Sequence, residues 1–308
     1  MILLETLALF SFFNISDSLS TDYPFIWNVT SRVSVTCDSA ASMFYYHYSF
    51  VNDSTNRGGI EAFKIVIWRN ASTTTEFDTT GLKFTTKFAK SQFQSGYPRL
   101  RPWIVPVGFP KLPRRWDGEL AGNYPYAAIR TDYEPLRPGR AISGITMMSK
   151  GLPGIRGVIV EPRFDEYLYY PMEEGAPVDE EDSLHAISVK VDSIRQAVVY
   201  HGLTVGPWAP PSKFDPLVFL DTLTSFVRES HALGWIASQE AAESIISSFA
   251  RATSDIRDSN IQAAIARINL ILVHLEEVRT SVLSPEAYAL IRYNSEYFKK
   301  MLHSKSPR

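Results

Sequence analysis

Val205-Gly206-Pro207-Trp208-Ala209-Pro210-Pro211 divides this sequence into two stretches built on different periods. Before it, apolar and polar residues alternate over short runs that Gly and Pro interrupt, the signature of β-strands. After it, about 90 residues place apolar side chains at helical spacing with almost no breakers. Two folding units are therefore expected: a β-domain over 21–204 and a helical domain over 214–304. The linker between them, 205–213, holds Pro207, Pro210 and Pro211, so it reads as stiff and extended, with few contacts crossing it.

On the N-terminal side, Arg32–Cys37 alternates cleanly, and the alternation turns Cys37 inward as a small hydrophobe. Met43-Phe44-Tyr45-Tyr46-His47-Tyr48-Ser49-Phe50-Val51 is an aromatic strand, and Asn52–Gly59 is a turn cluster. Ile60–Trp68 then returns as a hairpin partner; apolar residues on both parities predict a central strand buried on both faces. Further strands are predicted at 125–131, 141–147, 154–161, 186–191 and 197–200. The acidic run Met172–Asp182 lacks the spacing of a calcium loop and reads as a solvated surface loop, with calcium binding as the lesser alternative. These strands predict an antiparallel β-sandwich, immunoglobulin-like or jelly-roll-like.

On the C-terminal side, four helices can be drawn from their caps. Asp215-Pro216 pairs an N-cap with proline at the first helical position, and Gly234 lies just past that helix's end. A second helix starts near Ser238, and a third carries Ile261, Ala264, Ile265, Ile268, Ile271, Leu272, Leu275 and Val278 on one face. The fourth opens at Ser284-Pro285-Glu286, a cap followed by proline and an acid in the first turn. Short connections predict antiparallel neighbours and a small four-helix bundle. The fold class expected is thus α+β, two domains, a sandwich followed by a bundle.

A chain of 308 residues with 45% apolar content can fill two cores. A net charge of −2 supplies no field for nucleic acid, and no stretch reaches transmembrane length. Ile2–Phe13 is an apolar run of signal length, but no Lys or Arg precedes it and Glu5 interrupts it. Residues 1–20 are read as either a degraded signal segment or a misplaced start. The single cysteine excludes an intrachain disulfide and a cysteine-based metal cluster. Asn14, Asn28, Asn52 and Asn70 open N-x-S/T triplets, which matter only to a chain that meets a glycosylating secretory system.

Two stretches carry a resemblance. Leu233-Gly234-Trp235-Ile236, the Ile- and Leu-rich third helix, and Leu283-Ser284-Pro285-Glu286-Ala287-Tyr288-Ala289-Leu290 resemble FIMAH, a small helical domain at the C-terminal end of many secreted and cell-surface bacterial proteins. The match covers most of 214–302. It implies an accessory or interaction module, exported from the cell, with no enzymatic role. More loosely, Tyr45–Asn52, Pro138–Gly144, Gly151–Ile155 and Gly202–Pro207 are similar to uncharacterised secreted bacterial β-sandwich domains.

Chemistry is sparsely signalled. The six histidines form no ligand spacing, and no nucleophile elbow, Walker loop or dinucleotide fingerprint occurs, so neither a metal nor a cofactor is expected. His47 and His201 read as strand histidines. Between Ser91 and Asp117 prolines recur every few residues, which predicts extended loop or edge. Its Trp103, Phe109, Arg114, Arg115 and Trp116 suit a recognition loop and are the candidate ligand-binding residues; the other reading is a loop that only covers the end of a sheet. The reading that follows is a non-enzymatic, secreted or envelope-associated binding protein. Its partner would be a glycan, a cell-wall component or another protein. The alternative is a carbohydrate-active hydrolase drawing on Asp117, Glu119, Asp132, Glu134, Glu161 and Asp165, whose separation decides the matter.

Overall fold

The period-two stretches form strands and the helical-period stretches form helices in the computed structural model, which describes residues 24–66, 109–120, 126–164, 194, 198–208, 211, 213–279 and 281–305. Eight strands occur among these residues: β1 (Val29–Asp38), β2 (Met43–Asn52), β3 (Ile60–Val66), β4 (Asp117–Leu120), β5 (Tyr126–Arg130), β6 (Ala141–Ser149), β7 (Leu152–Pro162) and β8 (Tyr200–Trp208). They make two antiparallel sheets, one in the order β1-β2-β6 and one in the order β4-β5-β3-β7-β8. The strand expected at 186–191, the acidic run 172–182 and the apolar run 2–13 lie outside the described residues.

Strand β2 supplies the packing between the sheets. Its inward parity places Tyr46, Tyr48 and Phe50 in the core, and the Phe50 ring stacks at 4.0 Å on Phe63 of β3. The row continues from Phe63 to Trp116 at 5.5 Å. Offset stacks of this kind add to the area they bury. Two hydroxyls inside the core are satisfied: Tyr46 donates to the Gly151 carbonyl at 2.8 Å and Tyr48 to the Val205 carbonyl at 2.9 Å.

Two details correct the period-two reading. In β3 Phe63 and Ile65 are buried on one parity and Ile60 and Ala62 on the other, but that second parity opens towards the strand's end, where Lys64 and Val66 are half-buried and Lys64 pairs with Glu161. Cys37 shares the inward parity of Val33 and Val35 yet is exposed. It sits one residue from the end of β1, where its charged neighbours are Arg292, Glu296 and Lys300. Partial burial and Glu296 push its thiol up, away from a reactive thiolate.

The helices are α1 (Pro216–Ala232), α2 (Gln239–Arg257), α3 (Ile261–Val278) and α4 (Pro285–Lys305). The Asp215 carboxylate accepts the Leu217 and Val218 N–H groups, Ser238 caps α2 through Ala241 N–H, and Asn260 caps α3 through Ala263 N–H. Gly234 closes α1 at φ +71, where a side chain would be strained. Helix α1 packs on α2 and α4, and α3 packs on the same two. The loops between α1 and α2 and between α3 and α4 are laced together. Ala237 N–H donates to Val282 at 2.9 Å and Ser284 N–H to Trp235 at 2.8 Å.

Helix α4 also joins the helices to the sheets. Strand β1 ends its sheet, so its outer N–H and C=O groups need a partner or water. The Glu286 carboxylate, 1% exposed, accepts the Val33 N–H at 2.7 Å, and Tyr293 donates its hydroxyl to the Val35 carbonyl at 3.0 Å. Asn294 reaches the other sheet, donating to the Pro153 carbonyl at 2.8 Å. The stretch read as the start of a linker is also engaged. Val205–Trp208 form the second half of β8, and Trp208 packs against Phe219 and Phe226 of α1. Phe214 is buried against Phe219 and Phe298. Apolar side chains on both sides of 205–213 thus belong to one continuous core.

Candidate binding end of the sheets

The proline-rich segment is described from Phe109 onward, and Trp103 lies outside the described residues. Thr146 of β6 donates its N–H to the Lys111 carbonyl at 2.8 Å, so the segment begins beside the edge of one sheet. It then crosses to β4 in the other. Phe109 is half-buried, its ring so close to Gly118 that a Cβ there would collide with it. A tight turn follows, in which Trp116 N–H donates to the Pro113 carbonyl at 3.1 Å. Arg114 and Arg115 form its exposed tip, and Arg115 holds φ +69. That is the third position of a turn which ordinarily takes glycine. Trp116 turns inward, 9% exposed, onto Phe63. Of the four candidate residues that are described, Arg114 and Arg115 are exposed, Phe109 is half-buried and Trp116 is buried.

The Arg115 guanidinium lies over the ring of Tyr133, 5.9 Å from its centroid, and Tyr133 is 65% exposed. Arg163, just past β7, donates to the Tyr133 carbonyl at 3.1 Å. Strand order carries the same end of the stack to Trp27, which is 49% exposed. Its ring stacks on Phe25 at 5.5 Å, and the Arg57 guanidinium sits 5.4 Å from its centroid. Guanidinium-over-ring geometry of this kind is attractive and fixes the side chain's direction.

Beneath the surface, two buried amides tie the loops into one unit. Asn56 Oδ1 accepts the Trp27 and Asn28 N–H groups, while its amide donates to the Asn28 carbonyl and to Asn52 Oδ1. Asn52 in turn donates to the Gly58 and Leu136 carbonyls. This network excludes glycosylation of Asn52 in the folded chain, because its nitrogen is buried and engaged. Asn28 is exposed, and Asn14 and Asn70 lie outside the described residues. Thr55 donates from its N–H and hydroxyl to Asp53, holding that carboxyl below its ordinary range.

Charge accumulates here. The stretches 24–28, 52–60, 109–117, 130–141 and 161–164 carry eight Arg and Lys against five Asp and Glu, whereas the whole chain is −2. Glu161 pairs with Lys64, Asp132 with Arg130 at 3.4 Å, and Glu134 with Arg137 at 3.1 Å. Among the described residues no carboxylate lies within 4.0 Å of Arg114, Arg115, Arg140 or Arg163.

Of the carboxylates considered for hydrolysis, Asp132, Glu134 and Glu161 form ion pairs, Asp117 is exposed, and Asp165 lies outside the described residues. His47 is a strand histidine, its ring nitrogens 3.1 and 3.2 Å from the Thr36 and Thr146 hydroxyls. Among the described residues no group of three or more His, Cys, Asp and Glu is placed to hold a metal ion, and no helix is long and apolar enough to cross a membrane.

Sequence reasoning missed Trp27, Arg57, Tyr133 and Arg163. The available signal was a single aromatic inside a polar turn, Asp132-Tyr133-Glu134, and the alternation Phe25-Ile26-Trp27. A protein-family search and a search of curated proteins both find no match to this chain.

Proposed function

We propose that this is a non-enzymatic binding protein of the cell exterior or envelope. In this reading the two sheets form a β-sandwich that offers its arginine–aromatic end to a partner. The four helices form a FIMAH-like bundle that braces the β1 edge. The observation that carries the reading is the pairing of two exposed rings, Trp27 and Tyr133, with guanidinium groups at one end of the sheets. Exposed aromatics and arginines are the residue types that dominate recognition surfaces. Export is supported by the resemblance of 214–302 and by the apolar run Ile2–Phe13.

The test is binding of purified protein to isolated envelopes of the producing cell, compared with a Tyr133→Ala, Arg115→Ala double variant. Saturable binding by the parent and its loss in the variant, with melting temperature preserved, is the expected result. Full-length protein found only in the cytoplasm with Met1 retained overturns the exterior assignment.

A further inference from the structure

We propose that the ligand class of the Trp27–Tyr133 end is an acidic polysaccharide, one carrying uronate carboxylates or sulfate esters along a chain of pyranose rings. This inference rests on the binding role proposed above and names its chemistry.

Three observations converge. The first is charge: Arg114, Arg115, Arg140 and Arg163 are exposed and stand apart from the described carboxylates, in a chain whose overall balance is negative. A guanidinium presents a planar fork of N–H donors that matches a carboxylate or sulfate bidentately. The second is pre-organisation. Arg115 is held over Tyr133, and Arg163 is anchored on the Tyr133 backbone, so less side-chain freedom is lost when an anion docks. The third is the ring itself. Tyr133 is 65% exposed beside these cations, giving a sugar's C–H face an aromatic surface next to the charges that would hold its acid group.

Backbone strain points the same way. Arg115 occupies φ +69, a strained conformation for a non-glycine residue, at the turn position where glycine is the ordinary choice. Structure alone would favour glycine; the guanidinium requires arginine. A polynucleotide is a polyanion of the same sign, and the titration below separates it from an acidic polysaccharide. An acidic peptide offers the arginines the same carboxylates but no pyranose C–H face for the exposed Tyr133 and Trp27 rings.

The experiment is calorimetric titration of the full chain with polygalacturonate, heparin, neutral dextran, poly-glutamate and single-stranded DNA. Acidic polysaccharides should bind and dextran should not, with affinity falling as salt rises. Arg115→Gly should weaken binding about tenfold while leaving the melting temperature equal or higher, because it removes both the cation and the strained φ. Arg115→Lys should recover only part of the loss, and Tyr133→Ala should cost a similar factor. Stronger binding of poly-glutamate or DNA than of either polysaccharide overturns the ligand class, as does equal binding of dextran. Envelope binding that persists without any affinity for acidic polysaccharide overturns this inference alone. Absence of envelope binding removes the reading on which it rests.

Discussion

Two clusters in this molecule use tyrosine and arginine in opposite ways. At the helical side of β1, Tyr288 is 5% exposed, with Arg279 4.3 Å and Arg292 5.4 Å from its ring centroid. Its hydroxyl donates to Glu276, which also pairs with Arg292, and Arg292 pairs again with Glu296 at 3.0 Å. Both arginines of that cluster are paired with acids of the same chain, Arg279 with Glu276 at 3.8 Å and Arg292 with Glu276 and Glu296. At the loop end of the sheets, Tyr133 carries Arg115 on its ring but stands in water, with no described carboxylate closing the set. The same residue types are therefore closed by partners in one region and left exposed in the other. What separates them is whether the chain supplies its own acids.

The largest expected effect tests which side of this divide Trp116 belongs to. Trp116→Ala removes a ring stacked on Phe63 and should cost about 3–5 kcal/mol in urea denaturation. The loop reading of the sequence expects no change in stability from this substitution. A loss under about 1 kcal/mol would return Trp116 to the recognition surface.

Next is the α4 contact. Glu286→Ala strips the acceptor from the buried Val33 N–H and should cost about 1–3 kcal/mol, whereas Glu286→Gln keeps a carbonyl in place and should cost less. By the same logic a fragment over 213–305 should be helical but melt below the full chain. Glu286, Tyr293 and Asn294 would lose their partners in β1 and β7. Equal melting temperatures would mean that the helices stand independently of the sheets, as the linker reading of 205–213 expects.

A smaller, pH-dependent effect concerns the enclosed tyrosines. Burial pushes Tyr46 and Tyr48 well above the ordinary value of 10, and burial followed by the hydrogen bond to Glu276 raises Tyr288. The neutral form is the one the native state favours. Above pH 10 the unfolded chain holds fewer of these protons than the native one, so the tyrosines' contribution to stability is constant below that pH and declines above it. Absorbance titration at alkaline pH should show these phenols ionising only with unfolding. Ionisation in the folded chain would show that they are open to water.

The smallest effect is expected at the loop end. Tyr133→Ala should change stability by no more than about 0.5 kcal/mol, because the ring is mostly in water. A larger loss would make the two clusters alike, both structural.

Much of the local structure was legible. Asp215, Ser238 and Asn260 cap their helices through hydrogen bonds spanning two or three residues. The aromatic alternation of 43–51 became β2 with Tyr46, Tyr48 and Phe50 inward. The candidate site was legible only at its tip. Arg114 and Arg115 were found because prolines announce a loop, but the same loop's aromatics were offered with them. A ring's direction depends on what lies opposite, and Phe63 is 53 residues away in sequence from Trp116.

The sequence by itself therefore determined the elements, their caps and the change of period near 205–211, because those depend on interactions within a few residues. Tertiary structure alone decided that Val205–Trp208 continue a strand and that Cys37 faces water. It also decided that Glu286 completes the edge of a strand 253 residues earlier and that Tyr133 and Trp27 share one end of the sheets. Each of these depends on which distant groups come to lie opposite a residue. A periodic pattern specifies the face a side chain takes, and only the assembled layers specify what that face meets.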